Sequence, residues 1–104
     1  MLDDIISTGG SIRVAAETLK KSGAKEVVVC ATHGVLSGNT KEVLSSDCID
    51  QILLTNSIPI PKEKMLKKMK IISLGPLLAK IIKRISRERS LGELFTWEDK
   101  VRGL

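Results

Sequence analysis

Val27-Val28-Val29-Cys30-Ala31 is the run that most narrows what this chain can fold into. It is apolar on both faces and β-branched at its centre. A strand of that kind suits the interior of a parallel sheet, where both surfaces are covered. Parallel strands need crossover connections, usually helical. The sequence on either side supplies them. Over residues 10–22, Ile12, Ala15, Ala16 and Leu19 recur at helical spacing, with Arg13, Glu17, Lys20 and Lys21 on the opposite side, and Ser22-Gly23 ends the pattern. A helix followed by a strand over residues 25–31 is the basic α/β unit.

The pattern repeats downstream. Asn39, with Glu42 three residues on, has the spacing of a helix cap, and Val43 and Leu44 give that short helix an apolar face. Residues 52–55 read as a second strand. Asn56-Ser57-Ile58-Pro59-Ile60-Pro61 cannot prolong it, because each proline removes a ladder donor. Residues 62–69 read as a helical turn or two, and residues 71–74 as a third strand. Gly75-Pro76 then opens a helix whose stripe is Leu77, Leu78, Ile81, Ile82 and Ile85. Ser90-Leu91-Gly92-Glu93 has capping-box spacing for a terminal helix carrying Leu91, Leu94 and Phe95. The loops that follow the strands, Thr32 to Gly38 and Asn56 to Pro61, are where open α/β sheets bind ligands.

Function is written most densely in the first dozen residues. Asp3-Asp4 is followed by Ser7-Thr8-Gly9-Gly10-Ser11, which leads into the first helix. Glycines allow a tight turn and close approach to the main chain. The hydroxyls of Thr8 and Ser11 add donors, and the helix aims its free amides and positive dipole end at the same point. Together these make a phosphate site. Two carboxylates beside such a cradle would repel an anion unless they faced another part of the ligand. Sugar hydroxyls meet that need, and paired carboxylates can also share Mg²⁺ through water. The competing reading is a helix-capping turn with solvated acids.

Composition removes several alternatives. A chain of 104 residues is one domain at most. Phe95 and Trp97 are its only aromatic residues, too few rings for a protein that stacks nucleic-acid bases. The net charge of +5 gathers between Lys62 and Arg89, as on a solvated helix face. Cys30 lies in an apolar run and Cys48 in a polar connection, so neither a disulfide framework nor a metal motif is indicated. No leader precedes the loop, and no apolar run reaches the roughly eighteen residues of a membrane helix, so a cytoplasmic protein is expected. His33 is the single histidine. It reads as a turn-fixing residue rather than a proton carrier, since nothing nearby in sequence would set its tautomer.

Asp3-Asp4-Ile5-Ile6-Ser7-Thr8-Gly9-Gly10-Ser11 resembles the phosphoribosyl-binding loop of type I phosphoribosyltransferase-fold proteins. Three later segments narrow the likeness to ribose-phosphate pyrophosphokinases: residues 31–38, Leu54-Thr55-Asn56-Ser57-Ile58-Pro59, and the helix from Leu77 leading into Ser90-Leu91-Gly92-Glu93-Leu94-Phe95. The resemblance implies an α/β fold, an incomplete phosphoribosyltransferase-like (Rossmann-like) parallel sheet flanked by helices. The implied reaction transfers the β,γ-diphosphoryl group of ATP to the 1-hydroxyl of ribose 5-phosphate, with Mg²⁺, giving phosphoribosyl pyrophosphate and AMP. By position, Asp3 and Asp4 would meet the ribose hydroxyls, and Ser7, Thr8, Gly9, Gly10 and Ser11 would grip the 5-phosphate.

Two departures matter. Ser7 stands where many members carry Asp, and Ser11 replaces Thr. The amino-terminal region of such enzymes, with most ATP contacts and the mobile catalytic loop, has no counterpart here. Residues 1–104 are therefore expected to be a carboxyl-terminal portion lacking its leading strands, with no turnover alone and no catalytic or metal-binding side chains of its own. Such a portion would expose sheet edges and form a homo-oligomer, with no nucleic-acid or membrane partner. The alternatives are a phosphoribosyl-binding regulatory or assembly module, and a fragment of a base-specific phosphoribosyltransferase.

Overall fold

The computed structural model describes residues 1–88 and 91–92 of the chain. They divide into two units, Met1–Ser73 and a second that begins at Leu74. In the first unit, β1 (Leu2–Ile6), α1 (Gly10–Lys21), β2 (Val28–Gly34), α2 (Thr40–Leu44), β3 (Gln51–Thr55) and β4 (Met69–Ile72) alternate as an α/β chain should. The four strands form one parallel sheet in the order β1-β2-β3-β4. Because successive strands are neighbours and such crossovers are right-handed, α1 and α2 lie on the same face. The core is on that side. Ile6, Val29, Ile52 and Leu54 of the strands are buried with Ile12 and Ala16 of α1 and Leu44 of α2. This bears out the expected parallel α/β architecture.

The elements sit slightly differently from their sequence reading. Residues 2–6, read in the sequence only as two acids leading into the loop, are a full strand at the sheet edge. Pairing starts at the first residue, where the Met1 ammonium donates to the Val28 carbonyl at 2.8 Å and the Cys30 amide donates to the Met1 carbonyl at 2.9 Å. Thr32, His33 and Gly34 belong to β2 rather than to the loop after it, because β1 captures them in the pairs Ile5 with His33 and Ile6 with Gly34. β4 begins two residues earlier than expected, where Met69 pairs with Ile52 and contributes to the core. Only Lys62–Lys64 of the expected 62–69 turns is helical, as a single 3₁₀ turn. Asn39 makes no side-chain cap for α2. α1 ends as expected: Ala24 and Gly23 donate to the carbonyls of Leu19 and Lys20, with Gly23 at φ +100°.

Burial within the first unit is one-sided. On the face away from α1 and α2, Leu2, Cys30 and Leu53 stand in register, Leu2 is 88% exposed, and an apolar hollow of about 200 Å³ is lined by these residues and Ile72. The run expected to be buried on both faces is thus buried on one, by Val29 and Ala31, whereas Val28 and Cys30 on the other are only half-buried, because no helix of the first unit covers that side.

The second unit contains α3 (Gly75–Ser86), with Pro76 in its first turn. Its apolar residues Leu77, Leu78, Ile82 and Ile85 are all exposed. The capping box at Ser90, and Phe95 and Trp97, lie outside the described residues. No helix among the described residues is long and apolar enough to cross a membrane.

At the amino-terminal edge of the sheet, charged side chains tie the crossovers down. Asp50 accepts the Val27 amide at 2.7 Å and pairs with the Lys20 ammonium at 2.8 Å, while the Lys68 ammonium donates to the carbonyls of Ser46 and Ile49. Lys68 is partly desolvated there, and burial lowers its pKa despite the opposing pull of Asp47 and Asp50. The Lys20 hydrogen bond first, and the Val27 amide second, hold the Asp50 carboxyl below its ordinary value of 3.8. A carboxyl depressed by folding contributes its stability above that ordinary value and loses it as pH falls through the lower, folded one. Asp50→Asn should therefore unfold more easily than the parent in urea at pH 7. The gap between their midpoints should narrow below about pH 4 and close in stronger acid.

Candidate functional site

The hydrogen bonds of residues 6–12 are sharply asymmetric. Three carbonyls are consumed by protein: Ile6 accepts the amides of Val35 and Leu36 at 3.0 and 3.1 Å, Ser7 accepts the Ser37 amide at 3.0 Å and the Thr40 hydroxyl at 2.8 Å, and Gly9 accepts the Arg13 amide at 3.0 Å. The amides are not. Among the described residues, those of Thr8, Gly9, Gly10 and Ser11 donate to no other protein group. Main-chain donors without a protein partner need water or a ligand.

These donors line a cavity of about 170 Å³ at the carboxyl-terminal end of β1, walled by Ser7, Thr8, Gly9, Gly10 and Ser11 with Ile12, and closed on the strand side by Asp3 and Ile5. α1 points its amino terminus at the same space, with no acidic side chain in its first turn to offset the dipole. Among the described residues no lysine or arginine lines the cavity, so an anion there would be held by amides, hydroxyls and the dipole.

The seven residues singled out in the sequence do not all converge. Asp3 and the five loop residues line the cavity, but Asp4 does not. Neighbouring side chains in a strand point to opposite faces, so only one of two consecutive acids can reach the same space. Asp4 instead acts on its neighbour. The Asp4 amide donates to the Asp3 carboxylate at 2.7 Å. Asp3 is an acceptor at one end of a cavity whose other end is lined with donors. That polarity suits a ligand with hydroxyls at one end and an anion at the other.

Mg²⁺ does not fit these donors by themselves. It requires near-octahedral oxygen ligation, and the cavity offers one carboxylate. No cluster of three or more His, Cys, Asp or Glu residues able to hold a metal exists among the described residues.

Sequence inspection missed the supports of the loop. Leu36 is a buried leucine at φ +52°, an unfavourable left-handed conformation for a bulky residue, and in that turn its amide and Val35's both reach Ile6. Thr40, only 2% exposed, places its hydroxyl against the carbonyls of both Ser7 and Ser37. Its position after Asn39 suggested only a helix start. His33 also has a partner after all. The Ser57 hydroxyl stands 2.7 Å from Nδ1 and 3.1 Å from the Thr32 carbonyl, and so ties the ring to the end of β2. The two residues are 24 apart in sequence, and only the pairing of β2 with β3 unites them.

Three comparisons bear on this arrangement. The family model described as phosphoribosyl synthetase-associated domain matches residues 1–96. The chain is 45% identical over 96 residues to a ribose-phosphate pyrophosphokinase of Bacillus subtilis (strain 168), covering 92% of this chain and 30% of that protein. With the ribose-phosphate pyrophosphokinase of Pasteurella multocida (strain Pm70) it shares 44% over 97 residues, 92% of this chain and 31% of the other. A crystal structure of phosphoribosylpyrophosphate synthetase from Mycobacterium smegmatis matches with a TM-score of 0.79 and 37% identity, over 84% of this chain and 29% of that one. The chain thus spans about three tenths of the length of the curated relatives it matches.

The two cavity glycines have separable jobs. Gly9 sits at φ +82°, and a Cβ there would lie 2.9 Å from Leu44 Cδ2, whereas a Cβ on Gly10 would meet no protein atom within 4 Å. Gly9→Ala should cost about 1–3 kcal/mol in urea unfolding, from left-handed backbone strain and the clash with the core. Gly10→Ala should leave the midpoint unchanged or slightly raised, since alanine favours a helix start over glycine.

Proposed function

The chain belongs to the phosphoribosyl synthetase-associated family, and from that premise we propose that it is a carboxyl-terminal part of a ribose-phosphate pyrophosphokinase that seats ribose 5-phosphate on the loop after β1. The observation that carries the proposal is the set of unpartnered amides from Thr8 to Ser11 facing a cavity with the Asp3 carboxylate at its far end. In this reading the loop binds the 5-phosphate through main-chain and hydroxyl donors. Asp3 accepts hydrogen bonds from the ribose hydroxyls, and Asp4 gives its amide to Asp3 rather than its side chain to the sugar.

In the complete reaction, the 1-hydroxyl of ribose 5-phosphate attacks the β-phosphorus of ATP. The β,γ-diphosphoryl group moves to the sugar and AMP leaves. In-line displacement at phosphorus depends on positioning and on neutralising the charge that develops. This chain supplies the first by fixing the acceptor sugar. Among its described residues no cation lines the cavity for the second. ATP, Mg²⁺ and the groups that complete the transition state are accordingly assigned to the part of the relatives' length that this chain does not span. A Mg²⁺ shared by the substrates would meet Asp3 alone here.

The half-covered sheet supports an obligate partner surface. Leu2, Ile72 and the free edge of β1 are exposed in the first unit. The isolated chain should elute from gel filtration larger than a monomer, and a stable monomer at tens of micromolar would count against this.

Calorimetric titration tests the site directly. Ribose 5-phosphate should bind, inorganic phosphate should compete, ribose without phosphate should bind far more weakly, and Gly10→Val should abolish the heat while preserving the melting curve. Addition of the separately made amino-terminal portion of a relative should restore synthesis of phosphoribosyl pyrophosphate. Sugar-phosphate binding without restored synthesis would instead favour a regulatory or assembly module.

A further inference from the structure

We propose that Ser37, thirty residues from Ser7 in sequence, is a positioning residue for anion binding, acting by presenting the proton of Ser7 to the cavity. The inference rests on reading that cavity as a phosphate site.

The argument starts from protons. Ser7 Oγ and Ser37 Oγ are 2.9 Å apart, and each hydroxyl has one hydrogen to give. Ser37 is held against Ser7 independently of its side chain, because its amide donates to the Ser7 carbonyl at 3.0 Å and its carbonyl receives the Thr40 hydroxyl. The pair therefore has two arrangements. Either Ser7 donates to Ser37 and shows the cavity lone pairs, or Ser37 donates to Ser7 and leaves the Ser7 proton for the cavity.

An anion selects the second arrangement. Ser7 then accepts from Ser37 while donating to the ligand, and the accepted bond polarises the donated one. Without the Ser37 hydroxyl, the Ser7 rotor loses this neighbour and its proton is shared among solvent-facing wells. The effect matters because among the described residues no lysine or arginine lines this cavity, so the anion depends on a small number of neutral donors. Two consequences follow. The Ser37 hydroxyl should act only through Ser7, and its removal should not disturb the fold, since both backbone links of residue 37 remain.

The experiment is a double-mutant cycle on the full chain, with inorganic phosphate and ribose 5-phosphate titrated calorimetrically into the parent, Ser7→Ala, Ser37→Ala, Ser37→Thr and the double alanine variant. Ser37→Ala should weaken both ligands by about four-fold, the share that polarisation by a neighbour adds to a hydrogen bond to a charged group, with its thermal midpoint unchanged. Ser37→Thr, which keeps the hydroxyl, should stay within about two-fold of the parent. The double variant should bind no worse than Ser7→Ala alone. Parent-like affinity in Ser37→Ala, or a Ser37→Ala loss that adds in full to the Ser7→Ala loss, would overturn the proposal. If Gly10→Val abolishes binding while Ser37→Ala does not weaken it, only the role of Ser37 fails. If the parent binds neither ligand, or Gly10→Val binds both normally, the phosphate reading and this proposal fall together.

Discussion

The capture of the Ile6 and Ser7 carbonyls by the segment after β2 is the interaction on which the candidate site depends. Four donors, the amides of Val35, Leu36 and Ser37 and the hydroxyl of Thr40, converge on two carbonyls at the end of β1. A peptide group whose oxygen is engaged on one side presents its N–H on the other, so satisfying these acceptors helps turn the following amides toward the cavity. The left-handed Leu36, which would cost energy in isolation, is held by a side chain sunk in the core. Local strain and core burial are coupled here, and the outcome is a donor-rich surface that needs no cationic side chain.

The architecture that brings these segments together is simple. β1 and β2 are adjacent and parallel, so their carboxyl-terminal ends emerge side by side. α1 leaves from the first end, and the 35–40 segment leaves from the second. Gly9 lets the first turn pass close to Leu44 of α2, and α1 and α2 are in contact. Core packing and the donor array thus share the same residues. The same sheet leaves its second face bare within the first unit, an arrangement consistent with a chain that spans about three tenths of its relatives' length.

Much of this was legible in the residues. The helix over residues 10–21 follows from the spacing of Ile12, Ala16 and Leu19, and its end from Gly23. The strands at 28–34 and 51–55 follow from runs of β-branched and aliphatic residues. The donor loop follows from Thr8-Gly9-Gly10-Ser11 ahead of a helix. Boundaries were less legible, because β1 extends β2 to Gly34 through pairing that no local pattern encodes. The split between Asp3 and Asp4 could have been drawn from the sequence had residues 2–6 been recognised as a strand, since alternation then separates adjacent side chains.

By itself, the order of residues determined the alternation of helices and strands, the parallel sheet and the chemical character of the loop, because periodicity and glycine placement act over a few neighbouring positions. The tertiary structure decided which acid reaches the cavity, which carbonyls are silenced, and that Ser37, Thr40 and Ser57 take part. Those outcomes depend on strand register and on contacts between positions some 24 to 33 residues apart. A hydroxyl or an amide has the same chemistry wherever it occurs in a chain. What it can do depends on which group the fold places within about 3 Å of it.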